Sequence, residues 1–216
     1  MVKVEIWSDV ACPWCYIGKR RFERALEGFD GRDSVDVTWR SFQLDPTIPR
    51  GLRRNHDQSL ADKFGATPEQ VAAMNERVTT LAAAEGLDYH FERYMTVNTF
   101  DAHRVEHLAK AHGLGPEMHE RLFRGQFVDG EVLDDPDTLV RLAVEVGVPE
   151  DEARQVVTCD AYAREVADDI REAGALGISG VPFFVVDRRF GISGAQSSEL
   201  IRNTLAKARD EAAIPS

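Results

Sequence analysis

The chain has 216 residues, 43% of them hydrophobic and 29% charged, with a formal net charge of -11 and a pI near 5.0. Such a composition suits a globular protein with a sizeable core, and its acidity argues against a basic face that neutralises phosphates, so no nucleic-acid partner is expected. No apolar run approaches the ~20 residues that span a bilayer, which argues against a membrane role, and Glu5 and Asp9 fall where a secretory signal would need an apolar stretch, so a cytoplasmic protein is expected.

Val2, Val4 and Ile6 alternate with Lys3 and Glu5 as a strand of period two, ending just before Cys12. Beyond Cys15, Phe22, Ala25, Leu26 and Phe29 follow the spacing of one buried helical face, and Gly28 closes that helix. Val35, Val37 and Trp39 alternate with polar residues as a second strand, so the opening is β-α-β. A proline-rich loop from Asp45 to Pro49 leads into a long helical block with four marked segments. They start at Thr67-Pro68, at Asn98, at Asp135-Pro136 (with Leu139, Leu142, Ala143 and Val146 as the stripe and Gly147 as the end) and near Tyr162, whose stripe is Val166, Ile170 and Ala173. After Gly177, Phe183 to Val186 and Phe190 to Ser193 read as a hairpin turning at Asp187-Arg188-Arg189. Ser197 then caps a last helix bearing Leu200, Ile201, Thr204 and Leu205.

Three cysteines in a reducing compartment do not make a disulfide framework. Cys12 and Cys15 form C-P-W-C, a spacing that serves either a redox dithiol or half of a zinc site; Cys159 has no C-x-x-C partner, so zinc would need distant histidines. The motif's place between a strand and an amphipathic helix favours the dithiol. A cysteine at a helix N-terminus is favoured as thiolate by unpaired backbone N–H groups and the helix dipole. Cys12 is therefore the expected nucleophile. Cys15, one turn further in, is the expected resolving thiol, which attacks a mixed disulfide on Cys12. Pro13 suits the first helical turn and Trp14 brings no charge beside Cys12. Val181-Pro182 precedes an apolar strand, where the bond is readily cis or trans.

The stretches V-x-I-W-S-D-x-A-C-P-W-C-Y-x-G, N-T-F-D-A-H-R and G-I-S-G-V-P-F-F-V resemble the DsbA-like thioredoxin family. Within it the chain is similar to FrnE-type oxidoreductases and to their relatives, the 2-hydroxychromene-2-carboxylate isomerases and kappa-class glutathione transferases. The resemblance implies an α/β, thioredoxin-like fold with a large inserted α-helical domain, with residues 1–50 and 177–216 forming the thioredoxin-like part and 51–176 the insertion. It also implies that Val181-Pro182 is a cis pair facing the dithiol, its backbone receiving an extended substrate segment alongside Pro13 and Trp14. The expected activity is thiol–disulfide exchange on protein or small-molecule substrates, with no metal, flavin or nucleotide bound and glutathione as a candidate redox partner. The alternative is a glutathione-dependent isomerase or transferase, but those relatives generally carry serine where this chain has Cys12. Oligomeric state is left open.

His103 to His107 matches the zinc-peptidase pattern H-x-x-E-H. Since it falls within the resemblance, both histidines are expected on a partly exposed helical face. Asn98 is expected to cap its helix, Cys159 to pack behind Val156 and Val157, and Lys19, Arg20 and Arg21 to form a solvated face. Glu5 and Asp9 are either solvated or near the proton transfers, and Trp7 and Phe183 are read as core.

Overall fold

The computed structural model describes residues 1–212. Residues 213–216, the end of the segment allotted to the thioredoxin-like part, lie outside the described residues. The chain opens with β1 (Val2–Ser8), α1 (Pro13–Glu27) and β2 (Val35–Ser41). The long segment that follows holds β3 (Arg54–Asn55), α2 (His56–Phe64), α3 (Pro68–Ala83), β4 (Met95–Thr96), α4 (Phe100–Ala111) and α5 (Gly115–Arg124). It continues with α6 (Pro136–Glu145), α7 (Glu150–Thr158) and α8 (Ala163–Ala175), before β5 (Phe183–Val186), β6 (Phe190–Ser193) and α9 (Ser198–Ala212) end the fold.

Four strands make the main sheet in the order β2-β1-β5-β6, with β1 parallel to β2 and antiparallel to β5. Alternation along β1 places Val2, Val4 and Ile6 on one face, where they pack with Phe22, Ala25 and Phe29 of α1 and with Ile201, Leu205 and Ala208 of α9. Phe184 of β5 lies at this core's centre, 1% exposed, its ring 5.7 Å from that of Phe22. The opposite face carries Trp7 and Val185, and α8 covers it: Ala173 packs there, and the Trp7 indole N–H donates to the Asp169 carbonyl at 2.9 Å. The helix preceding β5 is therefore anchored on the sheet, although sequence position groups it with the inserted helices.

The β5–β6 hairpin turns through Asp187 and Arg188, both at positive φ (50° and 55°), with the Arg189 N–H closing on the Val186 carbonyl at 3.0 Å. That backbone matches the twist of two-residue hairpins but strains any residue with a Cβ. Asp187 offsets the strain by accepting from the Lys3 N–H at 2.7 Å, which ties the turn to β1.

The helices between β2 and β5 build a second apolar core from Val105, Leu108 and Ala109 of α4, Met118 and Leu122 of α5, Leu139, Leu142 and Ala143 of α6, and Ala153 and Val156 of α7, joined by Val10 from the turn between β1 and α1. Sequence signals marked four helices in this segment, whereas seven are present. Of the three without a signal, α2 buries only His56, α5 opens with Gly115-Pro116, which reads as a break, and α7 buries only Ala153 and Val156. The two-residue strands β3 and β4 are too short to show a period. Thr67 and Gln70 close a full capping box and Asp135 caps α6 as expected. The helix expected from Asn98 begins at Phe100, with the Asn98 side chain accepting from the Phe100 N–H at 2.9 Å. In α9, Ile201 and Leu205 face the core, but Leu200 is 42% exposed because the stripe continues through Ala208 instead.

Truncating the central ring tests which residue holds the sheet to α1. Phe184→Ala should lower unfolding free energy by about 3–5 kcal/mol, the range for deleting a fully buried phenyl group, measured as a reduced urea midpoint at unchanged m-value.

Candidate active site

At the end of β1 the chain turns through four residues and enters α1. Asp9 organises the turn: its carbonyl accepts from the Cys12 N–H at 2.9 Å, while its buried carboxylate accepts from the N–H groups of Ala11 (3.2 Å) and Leu44 (2.7 Å). Cys12 is the N-cap of α1 in extended backbone, with Pro13 at the first helical position and no acidic residue in the first turn. The unpaired N–H groups of that turn favour negative charge near Cys12. Cys12 and Cys15 are free thiols, 3% and 0% exposed. Burial, reinforced by the neighbouring Cys12, pushes the Cys15 thiol well above its ordinary range, against hydrogen bonds from the Asp9 backbone and the Ser8 side chain that favour its thiolate.

Facing the pair, Val181–Pro182 is a cis peptide, and the Cys12 thiol donates to the Val181 carbonyl at 3.5 Å. Pro182 is buried and Val181 half-buried. Gly18 of α1 permits this approach, since a Cβ there would lie 2.9 Å from Pro182 Cγ. The motif is also tied to the inserted helices by aromatic residues. The Tyr89 hydroxyl donates to the Pro13 carbonyl at 2.8 Å and the Tyr94 hydroxyl to the Ala11 carbonyl at 2.9 Å. Tyr16 stacks on Phe123 at 4.9 Å, and Phe127 packs beneath both tyrosines. Beside the motif opens a cavity of about 790 Å³ whose lining includes Cys12, Pro13, Trp14 and Val181, the apolar side chains of Phe64, Met74, Val78 and Phe91, and the cations Arg54, Lys63 and Arg77.

Beneath β1 lies a buried charged network. His103 donates from Nε2 to the Phe42 carbonyl at 2.9 Å, with that nitrogen 3.5 Å from Asp9 and its Nδ1 3.6 Å from Glu106. Burial works against a charged His103, but Asp9 and Glu106 outweigh it and raise its pKa to about 9. Glu106 also pairs with Lys110 and with His119, both at 3.1 Å. Burial opposes its ionisation too, and the positive charges and hydrogen bonds around it hold it well below the usual carboxylate range.

The model of the DSBA-like thioredoxin domain matches residues 3–206. The chain belongs to the DSBA-like thioredoxin domain family. A probable DsbA oxidoreductase from Streptomyces coelicolor is 44% identical, with a TM-score of 0.96 over 100% of this chain and 93% of that one. The uncharacterized protein YwbO of Bacillus subtilis is 25% identical, over 95% of this chain and 96% of its own. The cytosolic disulfide reductase DsbM from Pseudomonas aeruginosa, solved with GSH, shares the fold at a TM-score of 0.67 and 20% identity, covering 96% of this chain and 99% of that one. This DSBA-like protein is thus a redox enzyme of the thiol–disulfide oxidoreductase kind.

The structure brings Cys12, Cys15, Pro13, Trp14, Val181 and Pro182 together, but it corrects several readings around them. Lys19, Arg20 and Arg21 are not a solvated face. Lys19 is 6% exposed and meets Glu120 at 2.6 Å, Arg20 pairs with Glu120 and Glu23, and Arg21 pairs with Glu85 at 2.7 Å. Burial notwithstanding, those cations and the Tyr16 hydroxyl lower Glu120 to about 2. His103 is fully buried rather than partly exposed, and His107 turns to Asp169 (3.1 Å) and Ser41 (3.2 Å), so the two rings of H-x-x-E-H serve different partners. Cys159 is exposed, not packed, because α7 ends there and Arg104 binds its carbonyl. Glu5 pairs with Arg40 and Arg188 away from the dithiol. Asn98 bridges the Ile48 carbonyl (2.6 Å) and Gln43 (3.2 Å) besides its role at α4. Tyr89, Tyr94 and His119 escaped sequence reasoning, the tyrosines because they sit in irregular chain and His119 because its partners come from other elements, while Glu106 entered only as the glutamate of H-x-x-E-H.

The raised His103 pKa makes stability depend on pH. Its protonated form is favoured in the folded state, so that stabilisation is complete below the unfolded pKa of about 6.5 and is lost as pH rises through about 9, by about 3 kcal/mol in all. Urea titrations at intervals across this window should show the decline in the wild type and a flatter profile in His103→Gln.

Proposed function

We propose that the protein exchanges disulfides through Cys12 and Cys15, in the cytoplasm. The observation that carries this reading is the Cys12 thiol at the helix N-cap, 3.5 Å from the Val181 carbonyl, with Cys15 buried directly behind it. The Cys12 thiolate attacks a substrate disulfide, one substrate sulfur leaves, and a mixed disulfide remains on Cys12. Cys15 then attacks Cys12 Sγ, which expels the second substrate thiolate and closes the Cys12–Cys15 disulfide; the reverse sequence oxidises a substrate dithiol. Pro13 and Trp14 border the attacking sulfur, and Val181 and Pro182 receive the substrate chain beside it.

The size of the cavity supports substrates larger than a single thiol, since its lining extends beyond the motif to the apolar side chains of Phe64, Met74 and Phe91. No bound metal, flavin or nucleotide enters the cycle. Glutathione is the proposed redox partner, a reading supported by the disulfide reductase of the same fold that was solved with it.

Equilibration with glutathione should give a reversible two-electron Cys12–Cys15 couple. Insulin reduction should be abolished in Cys12→Ser, while Cys15→Ser should accumulate a mixed disulfide on Cys12 that mass spectrometry detects. A Cys15→Ser variant that turns over at the wild-type rate would exclude resolution by Cys15.

A further inference from the structure

Cys15 must lose a proton to resolve a mixed disulfide, yet it is 0% exposed and its thiol holds its proton more firmly than a free cysteine. Water does not reach it. Three residues that the sequence left without a role form a line leading away from its sulfur. Ser8, on β1, is fully buried, and its side chain lies near enough to Cys15 to favour the thiolate. The Ser8 hydroxyl lies 3.4 Å from Nε2 of His119 on α5, and His119 Nδ1 lies 3.1 Å from Glu106 Oε1 on α4. Ser8, His119 and Glu106 are 0%, 1% and 2% exposed, and the His119 ring is fixed between Trp39 (4.2 Å) and Phe123 (4.6 Å).

The sense of each hydrogen bond follows from the charges. Glu106 is a carboxylate and can only accept, so His119 donates to it from Nδ1 and leaves Nε2 as a lone pair facing Ser8. The charged groups facing His119 are Glu106 and Lys110 from α4 and Lys19 from α1, with His103 beyond Glu106. Burial, with Lys110 and Lys19, lowers the His119 pKa against the pull of Glu106, so the ring is neutral and able to accept near pH 7.

We infer that Glu106, His119 and Ser8 form a proton relay that deprotonates Cys15 during resolution of the mixed disulfide. The inference rests on the dithiol reading above. Cys15 passes its proton to Ser8 Oγ as the Ser8 hydroxyl proton moves to His119 Nε2, giving an imidazolium held by Glu106. The Cys15 thiolate forms the bond to Cys12 Sγ, the bond from Cys12 to the substrate sulfur breaks, and that sulfur leaves with the electron pair as a thiolate. In the reverse direction the imidazolium returns the same proton to Cys15. Ser8 meets the reacting sulfur, whereas His119 and Glu106 are positioning residues acting through it.

Stopped-flow reaction of the reduced protein with dithiobis(nitrobenzoate) separates the two steps: the first release of nitrothiobenzoate reports attack by Cys12 and the second reports attack by Cys15. In Ser8→Ala and His119→Gln the second phase should slow about 100-fold near pH 7, the scale of a lost general base, with the first phase nearly unchanged. The wild-type second phase should hold a plateau from pH 9 down to the titration of His119, whereas in the variants it should rise in proportion to hydroxide, closing the deficit at high pH. If His119→Gln does not fold, Ser8→Ala, which removes one oxygen atom, carries the test. Second phases and pH profiles matching the wild type in both variants would overturn the relay alone. A wild type that releases only one equivalent would overturn the dithiol reading beneath it.

Discussion

The Asp9 carboxylate holds the junction on which the chemistry of this fold depends. Between Ser8 and Pro13 the chain must leave the sheet, reverse and present a helix N-terminus, all beneath a layer of other structure. Backbone N–H groups buried in such a turn cost free energy unless they are paired, and Asp9 pairs those of Ala11 and Leu44 through its side chain and that of Cys12 through its carbonyl. Because Leu44 follows β2, one carboxylate fixes the turn and the loop beyond the neighbouring strand together. Removing it would leave the Ala11 and Leu44 N–H groups without that partner.

Charge buried beside that junction follows a second constraint. Glu106, His103, His119 and Asp9 are each at most 2% exposed, and polar groups buried so deeply cost free energy unless they are paired. They are tolerated as a set, because Lys110 and the two imidazoles surround the Glu106 carboxylate. The set joins α4 and α5 to the strands under the dithiol. Asp169 plays the same part at the sheet's edge, accepting from the Ser41 N–H and pairing with Arg40 and His107. The inserted helices are therefore fastened to the sheet by directional contacts as well as by apolar burial, which has no preferred register.

How far all this is legible in the sequence depends on whether the signal is local. The alternation through Val2, Val4 and Ile6, the stripe of Phe22, Ala25 and Phe29, and the caps at Thr67 and Asp135 are properties of a few neighbouring residues, and each element stands where its pattern places it. The motif and its strand-to-helix setting were readable for the same reason. His103 was not, because its burial is decided by Phe42 and Asp9, 61 and 94 positions away, and nothing in a helical H-x-x-E-H distinguishes a buried face from a wet one. Lys19 and Arg20 look like a solvated run until α5 brings Glu120 against them. Cys159 errs the other way: two valines precede it, but the helix ends one residue earlier and turns its side chain outward.

The hydroxyls of Tyr89 and Tyr94 bind backbone carbonyls within and just before the C-P-W-C turn, so one wall of the cleft is fastened to the reactive loop itself. A hinge that swung the helices away from the sheet would have to break those two bonds and unstack Tyr16 from Phe123. The cleft is accordingly a slot of fixed width, not a jaw. Widening it would cost those contacts, so the fold and not the ligand sets the space beside the motif.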